Sequence, residues 1–252
     1  MKKRVGLIGY GTIGKYIFEK LSGEVEFVFI YGRKKPEDSG VAAIFTDSSA
    51  EVLKRCGPGL DLVIEAATRE AVFELAPVIL KTCDMIIFST TALADEAFLA
   101  RVEKLCSGHK HNLFVPHGAI LGLDGVQDGR DVMREATITT TKKPQSLGRT
   151  DKERKVIYEG PTREICNMYP RNVNVHAGLA MAGLGFDRTR SILVSDPDSP
   201  GNVHAIEISA EGCRFKIEVI SEPLSGVTGA YTPVSACASV RRVLFSKGIV
   251  IV

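Results

Sequence analysis

The stretch Arg4-Val5-Gly6-Leu7-Ile8-Gly9-Tyr10-Gly11-Thr12-Ile13-Gly14 decides the fold. A short apolar run ends in glycine, and G-x-G-x-x-G follows at Gly9, Gly11 and Gly14. Ile13, Ile17 and Leu21 then recur every fourth residue, the spacing of one helix face. The first glycine suits a tight strand-to-helix turn, the second lets a pyrophosphate approach the backbone, and the third lets helix and strand pack closely. The helix N-terminus offers N–H groups and a partial positive charge to phosphates. Such a turn between strand and helix predicts a bound dinucleotide.

Working outward, Val25–Tyr31, Leu60–Ala66 and Met85–Thr90 read as further apolar strands. Thr12–Ser22, Ser49–Arg55, Arg69–Lys81 and Asp95–Cys106 read as helices between them. Apolar strands alternating with helices predict an α/β domain, a Rossmann parallel sheet covered on both faces. At the end of the second strand such domains carry an acid for the adenosine ribose. Here that strand ends Tyr31-Gly32-Arg33-Lys34-Lys35. Glycine leaves room for a 2′-phosphate and Arg33 can fork onto it, so NAD or NADP is expected, with NADP accepted.

From His117 the texture changes. Glu135–Lys142 is Thr-rich and alternating, and Lys155–Glu159, His204–Ala210 and Arg214–Ile220 also read as strands. Gly, Pro and Asp cluster between them, which predicts an antiparallel sheet in a smaller α+β catalytic domain. The expected division is 1–117, completed by a C-terminal helix within 232–252, and 118–231. A ligand site is expected at the carboxyl ends of the parallel strands, between the domains.

The composition agrees with an enzyme-sized globular chain. Its 252 residues are 44% hydrophobic and 25% charged, and 32 basic against 30 acidic residues leave a formal charge of +2. That excludes a disordered chain and leaves nucleic-acid binding without support. The N-terminal apolar run breaks at Gly9-Tyr10-Gly11, too early for a secretory signal. No window approaches the ~18 apolar residues of a membrane helix. The six cysteines include no C-x-x-C pair, so free thiols in a reducing cytoplasm are expected rather than a metal or disulfide framework.

Imidazole suits a general base near neutral pH. His109 and His111 read as lying in a solvated loop, leaving His117, His176 and His204 as candidates that the residues alone do not rank. Lys142, Lys143, Arg171 and Asn172 are candidate ligands for substrate carboxylates, and Asp124 a candidate helix cap.

Several segments together resemble one family. They are Ser89-Thr90-Thr91-Ala92-Leu93-Ala94-Asp95, Pro116-His117-Gly118-Ala119-Ile120-Leu121-Gly122-Leu123-Asp124 and Lys143-Pro144-Gln145-Ser146-Leu147-Gly148. Pro170-Arg171-Asn172-Val173-Asn174-Val175 and Asp196-Pro197 with Asn202-Val203-His204-Ala205-Ile206 complete the set. Over essentially the whole chain it resembles the L-aspartate dehydrogenases associated with NAD biosynthesis. The resemblance implies oxidative deamination of L-aspartate through iminoaspartate, a homodimer paired through the catalytic-domain sheet, and His204 as the catalytic histidine. It also implies cofactor contacts from Thr12, Ile13, Ala67, Thr68, Phe88, Ser89, Ala119 and Asn174. Gly32 departs from the family where it can carry an acid. The alternatives are another NAD(P)-dependent imine or semialdehyde reductase, or a dinucleotide-sensing regulator without turnover.

Overall fold

The structure, a computed structural model, describes residues 1–37, 39–225 and 228–248. Two compact units emerge: Met1–Pro116 with residues 233–248, and His117–Thr232.

The first unit runs β1 (Lys3–Ile8), α1 (Thr12–Leu21), β2 (Val25–Tyr31), α2 (Ser39–Ala42), β3 (Phe45–Thr46), α3 (Ser49–Arg55) and β4 (Leu62–Glu65). It continues through α4 (Arg69–Ile79), β5 (Asp84–Ile87), α5 (Glu96–His109) and β6 (Leu113–Phe114). The strands pair in the order β3-β2-β1-β4-β5-β6, all parallel. This is the doubly wound dinucleotide-binding order. Val5, Leu7, Leu62, Ile64 and Ile86 are buried in one cluster with Ile17 and Leu21 of α1, as consecutive apolar strand residues require when helices cover a sheet.

Two strands are shorter than the sequence suggests. The strand expected over Leu60–Ala66 starts at Leu62, because the Asp61 carboxylate turns back to accept from the Arg4 N–H at 2.8 Å and Lys3 Nζ at 2.6 Å. The strand expected over Met85–Thr90 stops at Ile87, and Thr90–Ala94 winds into a 3₁₀ turn. Helix α5 is capped by Asp95, which accepts from the Phe98 N–H at 2.8 Å. It extends to His109, which therefore ends a helix rather than lying in a loop.

The second unit runs α6 (Leu123–Asp128), β7 (Met133–Lys142), β8 (Lys155–Pro161), α7 (Thr162–Met168), α8 (Asn174–Ala182), β9 (Arg190–Ser195), β10 (Asn202–Ala210) and β11 (Cys213–Ser221). A short pair, β12 (Pro223–Ser225) and β13 (Thr228–Gly229), leads to α9 (Tyr231–Phe245). The five long strands pair as β11-β10-β7-β9-β8. The sheet is mixed rather than antiparallel throughout, because β9 lies parallel to β7. Parallel neighbours need a long crossover, and β8, α7 and α8 supply it. Asp124 is not the cap of α6; Gly122 is, and Asp124 falls in the first turn.

Along the buried face of β7 the side chains change character. Ala136 and Ile138 join Ile206 and Ile208 in the apolar core with Val126 and Leu179. Thr140 and Lys142 continue the same face and are also buried. The strand hands an apolar core over to a polar one. Returning to the first unit, α9 places Ala236, Cys237 and Val240 in the cluster that holds Val5 and Leu7. All six cysteines are free thiols. Among the described residues no group of three or more His, Cys, Asp or Glu side chains could hold a metal, and no helix is long and apolar enough to cross a membrane.

Candidate active site

The glycine turn is built as its spacing demands. Gly9 has φ +95°, left-handed backbone that favours glycine, and its N–H donates to the Tyr31 carbonyl at 2.7 Å. A Cβ on Gly14 would drive into the Gly9 carbonyl oxygen, so α1 can approach the turn only without one. A Cβ on Gly11 would meet nothing within 4 Å. Gly11 is the N-cap of α1, offers no side-chain cap, and no acid occupies the first turn. Open space beside a helix N-terminus without a carboxylate suits a pyrophosphate. Gly14→Ala is therefore expected to raise the dissociation constant for NAD(P)H by about tenfold or more, equivalent to at least ~1.4 kcal/mol. Fluorescence titration of the reduced dinucleotide reads this directly.

Behind that turn lies a carboxylate with no counterpart in the sequence expectations. Glu65 ends β4 fully buried. Oε1 accepts from the Ala67 N–H at 2.7 Å and from Ser89 Oγ at 2.8 Å. Oε2 accepts from the N–H groups of Phe88 at 3.1 Å and Ser89 at 3.0 Å. Burial raises its pKa, and the four donors oppose that shift. Glu65 thus ties together the turns after β4 and β5, which carry Ala67, Thr68, Phe88 and Ser89. Thr68 caps α4 by accepting from the Ala71 N–H at 3.4 Å. Arg33 is exposed just beyond β2, after Gly32.

In the second unit, the register of β7 against β10 sets Thr140 opposite His204. Thr140 Oγ1 lies 2.8 Å from His204 Nδ1 and 2.6 Å from His176 Nε2. His176, on α8, places Nδ1 2.9 Å from Ser191 Oγ on β9. All four side chains are buried. Lys142 is buried on the same face, its Nζ 3.5 Å from Asn172 Oδ1. Burial pulls the lysine down to about 8. His204 is held at about 3, by burial first and the Lys142 charge second. His176 is depressed by burial, His204 and Lys142. Both imidazoles are therefore neutral at physiological pH.

The remaining candidates separate. His111 leans on Asp84, Nδ1 to Oδ1 3.4 Å. His117 is half-buried, and its carbonyl accepts from the Ile120 N–H at 3.2 Å. Lys143 and Arg171 are exposed, whereas Lys142 and Asn172 are brought together. Ala119 is buried beside the core residue Ile120, and Asn174 is the first residue of α8. Thr140, Ser191 and Glu65 are polar participants that residue type and spacing did not single out.

A doubly wound sheet with this glycine turn, joined to a unit holding a buried histidine pair and lysine, defines an NAD(P)-dependent dehydrogenase. Family models agree for each part: residues 9–116 match "Homoserine dehydrogenase, NAD binding domain" and residues 124–243 match "Aspartate dehydrogenase, C-terminal". The L-aspartate dehydrogenase of Methanopyrus kandleri is 32% identical over 96% of this chain and 97% of its own. That of Thermotoga maritima is 33% identical over 94% and 95%. The crystal structure of aspartate dehydrogenase from Thermotoga maritima superposes with a TM-score of 0.83 at 31% identity, covering 99% of this chain and all of that one. A hyperthermophilic archaeal homoserine dehydrogenase shares the fold at 12% identity with a TM-score of 0.61. The chain belongs to the L-aspartate dehydrogenase family.

Proposed function

We propose that the protein oxidatively deaminates L-aspartate with NAD(P). The observation that carries this is the grouping of His204, Thr140, His176 and Lys142 on one buried face in a chain of this family. Lys142, with Asn172 beside it, is the cation and amide pair suited to a substrate carboxylate. When bound, the nicotinamide accepts the hydride from the substrate Cα. Neutral His204 serves as proton acceptor, for the substrate ammonium or for the water that adds to iminoaspartate. Hydrolysis releases oxaloacetate and ammonia; iminoaspartate released intact would feed NAD biosynthesis. The dicarboxylate offsets the Lys142 charge and so favours the imidazolium that results.

Gly9, Gly11, Thr12, Ile13 and Gly14 are the proposed pyrophosphate contacts, and Ala67, Thr68, Phe88 and Ser89 line the cofactor through the turns anchored on Glu65. Ala119 and Asn174 are assigned to the nicotinamide end. The substitution of Gly32 for an acid, followed by exposed Arg33, supports use of NADP as well as NAD. Arg33→Ala is expected to weaken NADP binding about 10- to 150-fold, the range of a charge-assisted hydrogen bond, and to leave NAD nearly unchanged. Titrating both dinucleotides against both proteins checks this; tighter NAD binding by wild type would remove NADP from the reading.

A homodimer is proposed through the other face of the second-unit sheet, where Thr137, Thr139, Thr141, Val203 and Ala205 are neither core nor fully exposed. Six free thiols support a reducing, cytoplasmic setting. The deciding experiment measures reduction of NAD and NADP in parallel with L-aspartate, L-glutamate and L-alanine. Aspartate-dependent reduction is the expected result. Cofactor-induced stabilisation with no reduction would favour a dinucleotide sensor instead.

A further inference from the structure

The buried side chains around His204 form a longer chain than the two histidines, and its direction can be read from proton counting. It begins at a carbonyl. Thr162 Oγ1, at the start of α7, lies 2.9 Å from the Thr189 backbone oxygen, which cannot donate. The single Thr162 hydroxyl proton is therefore committed to that carbonyl. Ser191 Oγ is 2.7 Å from Thr162 Oγ1, so Ser191 must donate there. With its one proton used, Ser191 accepts from His176 Nδ1–H at 2.9 Å. Neutral His176 then carries a lone pair on Nε2, which accepts from Thr140 Oγ1–H at 2.6 Å. Thr140 in turn accepts from His204 Nδ1–H at 2.8 Å.

Each link takes one proton, and each of the five side chains has one to give. Every member is 3% exposed or less, so water offers little alternative partnership. The opposite direction would need an extra proton, an imidazolium at His176. Burial and the Lys142 charge both disfavour that cation.

We infer that Thr162, Ser191, His176 and Thr140 form a one-directional hydrogen-bond relay that fixes His204 as the Nδ1–H tautomer, with Nε2 as its proton acceptor. These four are positioning residues, acting on the reaction only through His204. The inference rests on the proposed role of His204 as base, but the tautomer itself can be measured without turnover. The relay spans three strands and two helices, so the distant Thr162 hydroxyl sets which nitrogen of His204 is basic. A neutral imidazole outside such a chain is free to take either tautomer.

The test uses the whole protein labelled with ¹⁵N at histidine, with long-range ¹H–¹⁵N correlations to assign the protonated nitrogen. His204 is expected to show a protonated Nδ1 and a bare Nε2. Thr162→Val removes the fixed end, releases the Ser191 proton and opens both directions. A mixed or inverted His204 tautomer is expected there, with kcat lower by about twofold to tenfold, the range of one neutral hydrogen bond. The KM for dinucleotide should not move. Thr162→Ser restores the hydroxyl and should restore both the spectrum and kcat.

A wild-type spectrum with Nε2 of His204 protonated overturns the relay, even if Thr162→Val does not fold. So does a folded Thr162→Val protein with an unchanged His204 spectrum. If the spectra behave as expected but His204→Ala turns over normally, the relay stands and the base role fails.

Discussion

His204→Ala is expected to lower kcat for L-aspartate by about 10²–10⁴-fold, the contribution of a positioned general base. The dissociation constants for NAD and NADP should stay within about twofold, a change of ~0.4 kcal/mol. The reason is structural. His204 belongs to β10 of the second unit, while the glycine turn and Glu65 belong to the first. The truncation removes the hydrogen bond from His204 Nδ1–H to Thr140, while His176 keeps its Ser191 bond and the apolar core at Ile206 and Ile208 is untouched. Stopped-flow measurement of dinucleotide reduction, with binding followed separately by fluorescence, separates the two effects. Turnover near that of wild type would remove His204 from the chemistry.

Lys142→Met is expected to stabilise the fold and damage substrate binding at once. The folded lysine titrates at about 8 against an ordinary 10.5, because burial disfavours its charge. Protonation therefore favours the unfolded chain. The cost is complete below pH 8, where both states are charged, and amounts to about 3 kcal/mol at 1.36 kcal/mol per pKa unit. It fades between pH 8 and 10.5 and is gone above that range. Methionine fills similar volume without the charge, so denaturant midpoints at pH 7 should rise, and the rise should shrink toward pH 10. In the same variant the KM for L-aspartate should climb by about 30- to 1,000-fold, or 2–4 kcal/mol, as a carboxylate loses its buried cation. A variant that is more stable but binds aspartate normally would place the carboxylate elsewhere.

The dinucleotide half of the molecule was legible because its signals are local. Gly9, Gly11 and Gly14 fall within six residues where β1 gives way to α1; Gly9 and Gly14 each have a backbone reason to be glycine, and Gly11 leaves the helix N-terminus open. The second unit was legible only in pieces. β9, Arg-Ser-Ile-Leu-Val-Ser, is a buried strand in the middle of a sheet, so its polar and apolar residues do not alternate. Helix α8, His-Ala-Gly-Leu-Ala-Met-Ala around small residues, is buried nearly all round and presents no polar stripe. Both escape a reading by periodicity.

The site residues divide in the same way. Thr140 sits in a run of threonines, and only its pairing opposite His204 distinguishes it from Thr139 and Thr141. Glu65 reads as the charged end of an apolar strand until the turns after β4 and β5 fold over it. Lys142 and Lys143 are adjacent and chemically identical in sequence; strand alternation buries one and exposes the other. His176 could be ranked against His117 only once α8 carried it to Thr140.

The return of α9 to the first unit has a consequence for the order in which the protein is made. Ala236, Cys237 and Val240 complete a core whose other members include Val5, Leu7 and Ile17. On a ribosome working from the N-terminus, the half encoded first lacks part of its interior until residues 236–240 have emerged. The half encoded second has its own core between Ile120 and Ile217 and is complete earlier. The base and the lysine therefore both precede, along the chain, the helix that completes the dinucleotide sheet. A nascent chain released short of residue 236 would leave the first half without Ala236, Cys237 and Val240, with apolar surface open to chaperones.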